Sequence, residues 1–235
     1  MKNTVSSLIK WLQDCVKSAN CNGVVYGLSG GVDSAVVACL SKMAFNDNSL
    51  AIMMPIHSSL KDEIDAKLVV DKFKLNHIKV DLSLTYDEMV KVFESSENKM
   101  AYANIKPRLR MTTLYYYAQL KKYLVVGSSN KSEFLLGYFT KYGDSGSDIM
   151  PLVNFSKSEI YDLAKYLEIP DAIIQKPPSA GLFEGQTDED EMGFSYKDLE
   201  KYLNNEKIDK KLKEKIETMI KNSEHKRCFA KGFRR

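Results

Sequence analysis

The segment Ser29-Gly30-Gly31-Val32-Asp33-Ser34 restricts the possible folds of this chain more than any other stretch. An apolar, β-branched run precedes it at 23–28 (GVVYGL), and an apolar run with helical spacing follows at 35–40. That order reads as strand, glycine-rich turn, helix. Adjacent glycines let backbone N–H groups approach an anion closely and accept positive φ. A helix beginning near Asp33 adds unpaired N–H groups and a positive N-terminal end. Ser29 and Ser34 bring hydroxyl donors, and Asp33 brings a carboxylate able to hold Mg²⁺ against phosphate oxygens. The turn reads as a pyrophosphate cradle. It is neither G-x-x-x-x-G-K-[ST], since no Lys stands in it, nor G-x-G-x-x-G.

The rest of the chain supplies a matching frame. Val5, Leu8, Ile9, Leu12 and Val16 recur at helical spacing, so the chain opens with an amphipathic helix. Further strands are expected at 50–55, 77–81 and 123–127. Helical patterns separate them at 34–44, 59–74 and 84–121, the last broken near Pro107. Short apolar strands alternating with helices predict an α/β fold: one doubly wound, Rossmann-like parallel sheet covered on both faces. The glycine turn then lies at the carboxyl edge of the sheet, where such folds bind ligands. A single domain spanning 1–235 is expected, with a nucleotide-binding core over about 20–170 and a helical C-terminal segment over about 171–235. Ser156 is an N-cap with Glu159 at the capping-box position, and further helices are expected at 195–203 and 206–221. Segments 137–150 and 176–190 are rich in Gly, Pro, Ser and Asp, and read as loops that order over a ligand.

Composition excludes several classes. Hydrophobic content of 44% and charged content of 28% suit a soluble globular protein. No apolar stretch approaches the roughly 18 residues that span a bilayer. A net charge of +3 leaves no broad footprint for nucleic acid, and the basic tail 225–235 reads as a solvated terminus. Cys15, Cys21, Cys39 and Cys228 show neither a C-x-x-C pair nor zinc spacing, so reduced thiols in a cytoplasmic protein are expected.

Individual residues outside the turn are less decisive. Asn104, Arg108 and Arg110 fall on roughly one helical face, which suits a carboxylate or phosphate and equally suits a solvated basic surface. Glu133 follows the fourth strand, where it could complete a Mg²⁺ site with Asp33 or simply favour a helix N-terminus. Lys141, Asp144, Asp148 and Lys157 are isolated charges in or beside a loop.

Taken together these residues carry a resemblance. The turn looks like the PP-loop of ATP pyrophosphatases. The runs 126–133 (VGSSNKSE), 137–144 (GYFTKYGD), 178–182 (PSAGL) and 185–189 (GQTDE), with Arg108-Leu109-Arg110-Met111 and His225-Lys226, resemble the ammonia-dependent NAD⁺ synthetases in family order. The resemblance implies a ligase that adenylates the carboxylate of nicotinic acid adenine dinucleotide (deamido-NAD⁺) with ATP. Ammonia then displaces AMP. It also implies site roles. Gly27, Leu28, Ser29, Gly30, Gly31, Val32, Asp33 and Ser34 bind ATP, together with Ser128, Lys157 and Ser179. Ser128 and Ser179 stand where Thr is common in the family, keeping the hydroxyl and losing a methyl. Asp33 and Glu133 ligate Mg²⁺. Arg108, Lys141, Asp148, His225 and Lys226 contact the dinucleotide. Asp144 is a candidate for handling ammonium, with loop ordering as its other reading.

The family is homodimeric, and a homodimer is expected, with the Tyr115-Tyr116-Tyr117 run supplying at least one ring to a partner. With 22 residues before the first strand, no glutamine-hydrolysing domain is expected, so free ammonia is the nitrogen source. Rival readings are another PP-loop enzyme acting on tRNA, for which cysteine pairs or a basic domain are lacking, and a catalytically silent adenylate sensor. No nucleic-acid or membrane partner is expected.

Overall fold

Four parallel strands form one sheet: β1 (Gly23–Gly27), β2 (Ser49–Met53), β3 (His77–Lys79) and β4 (Tyr123–Val126), in the order β3-β2-β1-β4. The computed structural model describes residues 1–178 and 188–233. Strand β1 pairs with β2 on one side and β4 on the other, with Tyr26 opposite both Ala51 and Val126. The chain runs outward from β1 to β2 and β3 and then crosses to β4 on the other side of β1, so the ends of β1 and β4 flank a topological switch point.

Alternation along β1 explains the two cores. Val24 and Tyr26 point to one face and Val25 to the other, as the pleat requires. The first face packs against Leu8, Leu12 and Val16 of α1 (Lys2–Ser18), Val36, Val37 and Leu40 of α2 (Val32–Phe45), and Ile160 and Leu163 of α8 (Lys157–Tyr166). The second packs against Leu114 and Ala118 of α6 (Ile105–Lys121). Burial on both faces is why β1 and β2 read as continuous apolar runs.

A third cluster docks the C-terminal part. Leu136 of α7 (Lys131–Leu136) meets Leu199 of α11 (Tyr196–Leu203) and Ile216 of α12 (Lys210–Asn222). Gly137 ends α7 at φ +66, and a Cβ there would lie 2.2 Å from the Ser223 side chain, so only glycine lets the end of α12 approach.

Several expectations change. The 84–121 stretch is three helices, α4 (Ser83–Lys91), α5 (Lys99–Ala103) and α6, interrupted at 92–98 and at Asn104 rather than at Pro107. Pro107 is the third residue of α6, where its missing N–H would have had no helical partner anyway. The basic tail is not simply solvated. Arg227 donates to the carbonyls of Leu135 and Ile220, each at 2.7 Å, and Lys226 donates to those of Gly137 and Phe139. The expected loop at 176–190 contains α10 (Asp188–Met192), and its residues 179–187 lie outside the described residues. α3 (Leu60–Phe73) and α9 (Asp171–Ile174) complete the α-helices among the described residues. None of these helices is long and apolar enough to cross a membrane.

Candidate active site

The glycine-rich turn is built as a compact hydroxyl-bonded cup. Gly30 adopts φ +78, and a Cβ on it would lie 2.8 Å from the Asp62 carbonyl and 3.0 Å from the Ala66 nitrogen of α3. Glycine is needed here for both the backbone angle and the close approach. The Ser34 hydroxyl donates to the Gly31 carbonyl at 2.9 Å and lies 3.1 Å from the Ser29 hydroxyl. Gly31 caps α2 without any side-chain bond, which leaves the amides at the start of this 14-residue helix directed at the cup.

Asp33, Glu133 and Lys157 converge beside it, drawn from three elements. Lys157 Nζ donates to Asp33 Oδ2 at 2.6 Å and lies 3.8 Å from Glu133 Oε1. Asn130, the N-cap of α7, accepts from the Glu133 amide at 3.0 Å, while Glu133 Oε2 accepts from the Asn130 amide at 3.2 Å. Asn130 also donates to Asp33 Oδ1 at 3.1 Å, tying the ends of β1 and β4 together. Ser156 and Glu159 form the expected capping box and start α8 at Lys157.

The charge balance of this trio is unequal. Two carboxylates share one ammonium. Burial disfavours the Lys157 charge, but Asp33 and Glu133 outweigh burial and hold the group above its ordinary range. Burial and the neighbouring Asp33 charge together push Glu133 well above the usual carboxylate range, against the pull of Lys157. Asp33 and Glu133 therefore suit a divalent cation, which would supply the missing positive charge.

Two residues to which the sequence reading gives no role, Tyr196 and Asp188, border this trio, and a third, Lys176, braces the cup. The Tyr196 ring lies under Lys157 Nζ, 5.4 Å from centroid to nitrogen, and its hydroxyl donates to Asp188 Oδ2 at 2.8 Å. Lys176 donates to Asp62 at 2.7 Å and to Asp65 at 2.8 Å, clamping the segment after α9 onto α3 where it presses on Gly30. Spacing gives no signal for the Lys176 contacts, which join residues more than a hundred positions apart.

The remaining expected site residues form a second group. Arg108 Nε donates to the Lys141 carbonyl at 3.3 Å, and Lys141 Nζ to the His225 carbonyl at 2.6 Å. This brings Arg108, Lys141, His225 and Lys226 together with donors to spare. Asp144 accepts from the Thr140 amide at 2.9 Å and so orders its own turn. Protein crowds it closely although it keeps solvent access, and that crowding raises the acid against the opposing charges of Lys226 and Arg110. Asp148 stands apart, accepting from the Val125 amide at 2.8 Å and the Tyr115 hydroxyl at 3.0 Å. Arg110 does not share a surface with Asn104 and Arg108. Its Nε donates to the Met54 carbonyl beyond β2, while Asn104 accepts from Thr140. Ser128 stands two residues beyond the end of β4, half-buried. Ser179 lies outside the described residues. His57, at φ 51, is held by Asp87 at 2.7 Å as a loop residue.

Comparison with known proteins gives a consistent picture. The family model described as NAD synthase matches residues 4–230. The NH(3)-dependent NAD(+) synthetase of Finegoldia magna is 56% identical over 226 residues, covering 96% of this chain and 93% of that one. Its counterpart in Mycoplasmopsis pulmonis is 49% identical, covering 95% and 87%. Among solved structures, NMN synthetase from Francisella tularensis has a TM-score of 0.94 at 37% identity, covering 98% of this chain and 97% of that one. NH3-dependent NAD synthetase from Campylobacter jejuni, in complex with nitrate ion, has a TM-score of 0.85 at 32% identity, covering 99% of each.

Proposed function

This chain belongs to the NAD synthase family, and on that premise we propose that it makes NAD⁺ by ATP-dependent amidation of nicotinic acid adenine dinucleotide with ammonia. A carboxylate resists attack by ammonia at neutral pH, because oxide would have to leave. Transfer of AMP onto the carboxylate creates a competent leaving group and releases pyrophosphate. The observation that carries this reading is the placement of Lys157, Asp33 and Glu133 beside the glycine-rich cup at the switch point of the sheet.

Each part has a physical task. The cup's amides and the N-terminus of α2 bind phosphate oxygens as charge gathers on them. Lys157 neutralises that charge, fixed in direction by Asp33 and by the Tyr196 ring. Asp33 and Glu133 are the residues that would hold Mg²⁺, which when bound supplies positive charge at the phosphates. Arg108, Lys141 and Lys226 offer cationic donors for the dinucleotide's own phosphates, and His225 lies beside them. No side-chain nucleophile is required, since orientation and charge stabilisation suffice. The enzyme is read as a cytoplasmic homodimer.

A second reading concerns the size of the acid. The high TM-score to an NMN synthetase favours testing nicotinic acid mononucleotide as an alternative substrate. The test is one product assay with Mg²⁺, ATP, ammonium and either acid. Equal amounts of NAD⁺, AMP and pyrophosphate, formed only with the dinucleotide acid, are expected. A higher kcat/KM for the mononucleotide would move the assignment to the shorter substrate. ATP binding with neither product would overturn both.

A further inference from the structure

The wall behind Gly30 and the anchor of Lys176 are the same two residues. Gly30 stands so close to α3 that a Cβ on it would lie 2.8 Å from the Asp62 carbonyl and 2.9 Å from the Asp65 Cβ. Lys176 Nζ holds the carboxylates of this same pair, at 2.7 and 2.8 Å. Asp65 is 5% exposed, so its bond to Lys176 is a buried charge pair rather than a surface contact. A second ion pair on α3, Lys79 to Glu63 at 2.6 Å, comes from β3 and lies nearer solvent. Glu63 is not one of the residues nearest Gly30.

The segment that carries Lys176 is itself fixed on both sides. Ile173, three residues earlier, is wholly buried in the first core, the cluster that includes Val36 and Val37 of α2. Pro177 and Pro178 follow, and their rings restrict the backbone. The Pro178 carbonyl accepts from the Asp188 amide at 3.1 Å. Asp188 in turn accepts from the hydroxyl of Tyr196, whose ring lies under Lys157. Residues 173–178 are thus a short brace, with the glycine wall of the cup on one side and the lysine of the phosphate site on the other. Close-packed groups transmit a displacement rather than absorb it. Where α3 sits therefore sets where Gly30 and the amides beside it stand.

We propose that Lys176 is a positioning residue for ATP: by holding Asp62 and Asp65 it presses the first turns of α3 against Gly30 and keeps the amides of the cup aimed at the phosphates. It acts through α3 and not by contact with the nucleotide.

The inference rests on the ATP-binding part of the amidation reading, and the test separates the two. Calorimetry with Mg²⁺ and α,β-methylene-ATP measures the cup without turnover, because a methylene replaces the bridging oxygen between the α- and β-phosphates. Lys176→Met should raise the Kd for this analogue about tenfold or more, as displaced binding groups do. Lys176→Arg, which keeps the charge and the donors, should restore most of that affinity. Lys79→Met removes the other ion pair on α3 and should leave the Kd at its wild-type value. The Kd for nicotinic acid adenine dinucleotide alone should not change in any of the three, since its proposed donors lie elsewhere. Unfolding midpoints show whether each variant is folded at the assay temperature, and Lys176→Gln replaces Lys176→Met if that variant is not. Unchanged analogue affinity in the folded variant overturns the inference. So does an equal loss in Lys79→Met, or a parallel loss for both ligands, since either marks general loosening. If wild type does not bind the analogue, the ATP reading fails and the inference falls with it.

Discussion

At the scale of single residues, charge at the cup decides what the site can do. Asp33→Asn preserves shape but removes charge next to Lys157 and the phosphates, so turnover should fall by about 10²-fold or more. Steady-state release of pyrophosphate checks this, and near-wild-type turnover would place the critical charge elsewhere. Glu133 sets a pH dependence. The folded chain holds the Glu133 proton more tightly than an unfolded chain does, because burial and Asp33 both penalise its charge. Without a bound cation, stability should therefore fall as pH climbs above the ordinary carboxylate range. Urea unfolding across pH should show that slope, and Glu133→Gln should flatten it. Cysteine reactivity follows the same logic. Burial pushes the Cys39 thiol up to about 12, whereas Cys228 is exposed. In the native protein iodoacetamide should label Cys228 and spare Cys39, as peptide mapping would show.

At the scale of elements, termini and turns position the chemistry. Lys157 is the first residue of α8, so the Ser156 cap fixes where its side chain starts. Ser156→Ala should lower stability by about 1 kcal/mol and weaken turnover further by loosening Lys157, which denaturant unfolding and kinetics would separate. Gly30→Ala must force a positive φ and push against the α3 backbone, at an expected loss of about 1–3 kcal/mol, read from the unfolding midpoint. Much at this scale was legible in the sequence. The strand-turn-helix unit, the apolar β1 and β2 runs and the Ser156–Glu159 box depend on neighbours within a few positions, and all were formed as read. The interruption of 84–121 was misplaced because a proline in the first turn of a helix resembles a breaker. Arg110 left its expected face for the same local reason: helical spacing ranks positions around an axis but not what lies beyond it.

At the scale of the whole molecule, three adjacent tyrosines show how packing distributes a run. Tyr115 and Tyr117 pack against the second core, while Tyr116 is 63% exposed on α6. Leu120 on the same helix is 65% exposed. Such a face suits the proposed dimer. Sedimentation should give twice the chain mass at micromolar concentration, and Tyr116→Arg should shift it towards the monomer. A wild-type monomer would defeat the proposal.

The sequence by itself determined the strand-turn-helix cup, the parallel sheet with two buried faces, and the identity of the charged residues around it. These follow from short-range rules: side-chain alternation, helical spacing and glycine's freedom at positive φ. Only the tertiary structure decided that Asn130 bridges β4 to Asp33, that Lys176 clamps α3, that Lys226 and Arg227 are bound rather than solvated, and that Asp188 reaches Lys157 through Tyr196. Apart from the Asp188–Tyr196 bond, these contacts join segments distant in the chain. Their geometry is set by how helices settle on a common sheet, and no local pattern encodes that.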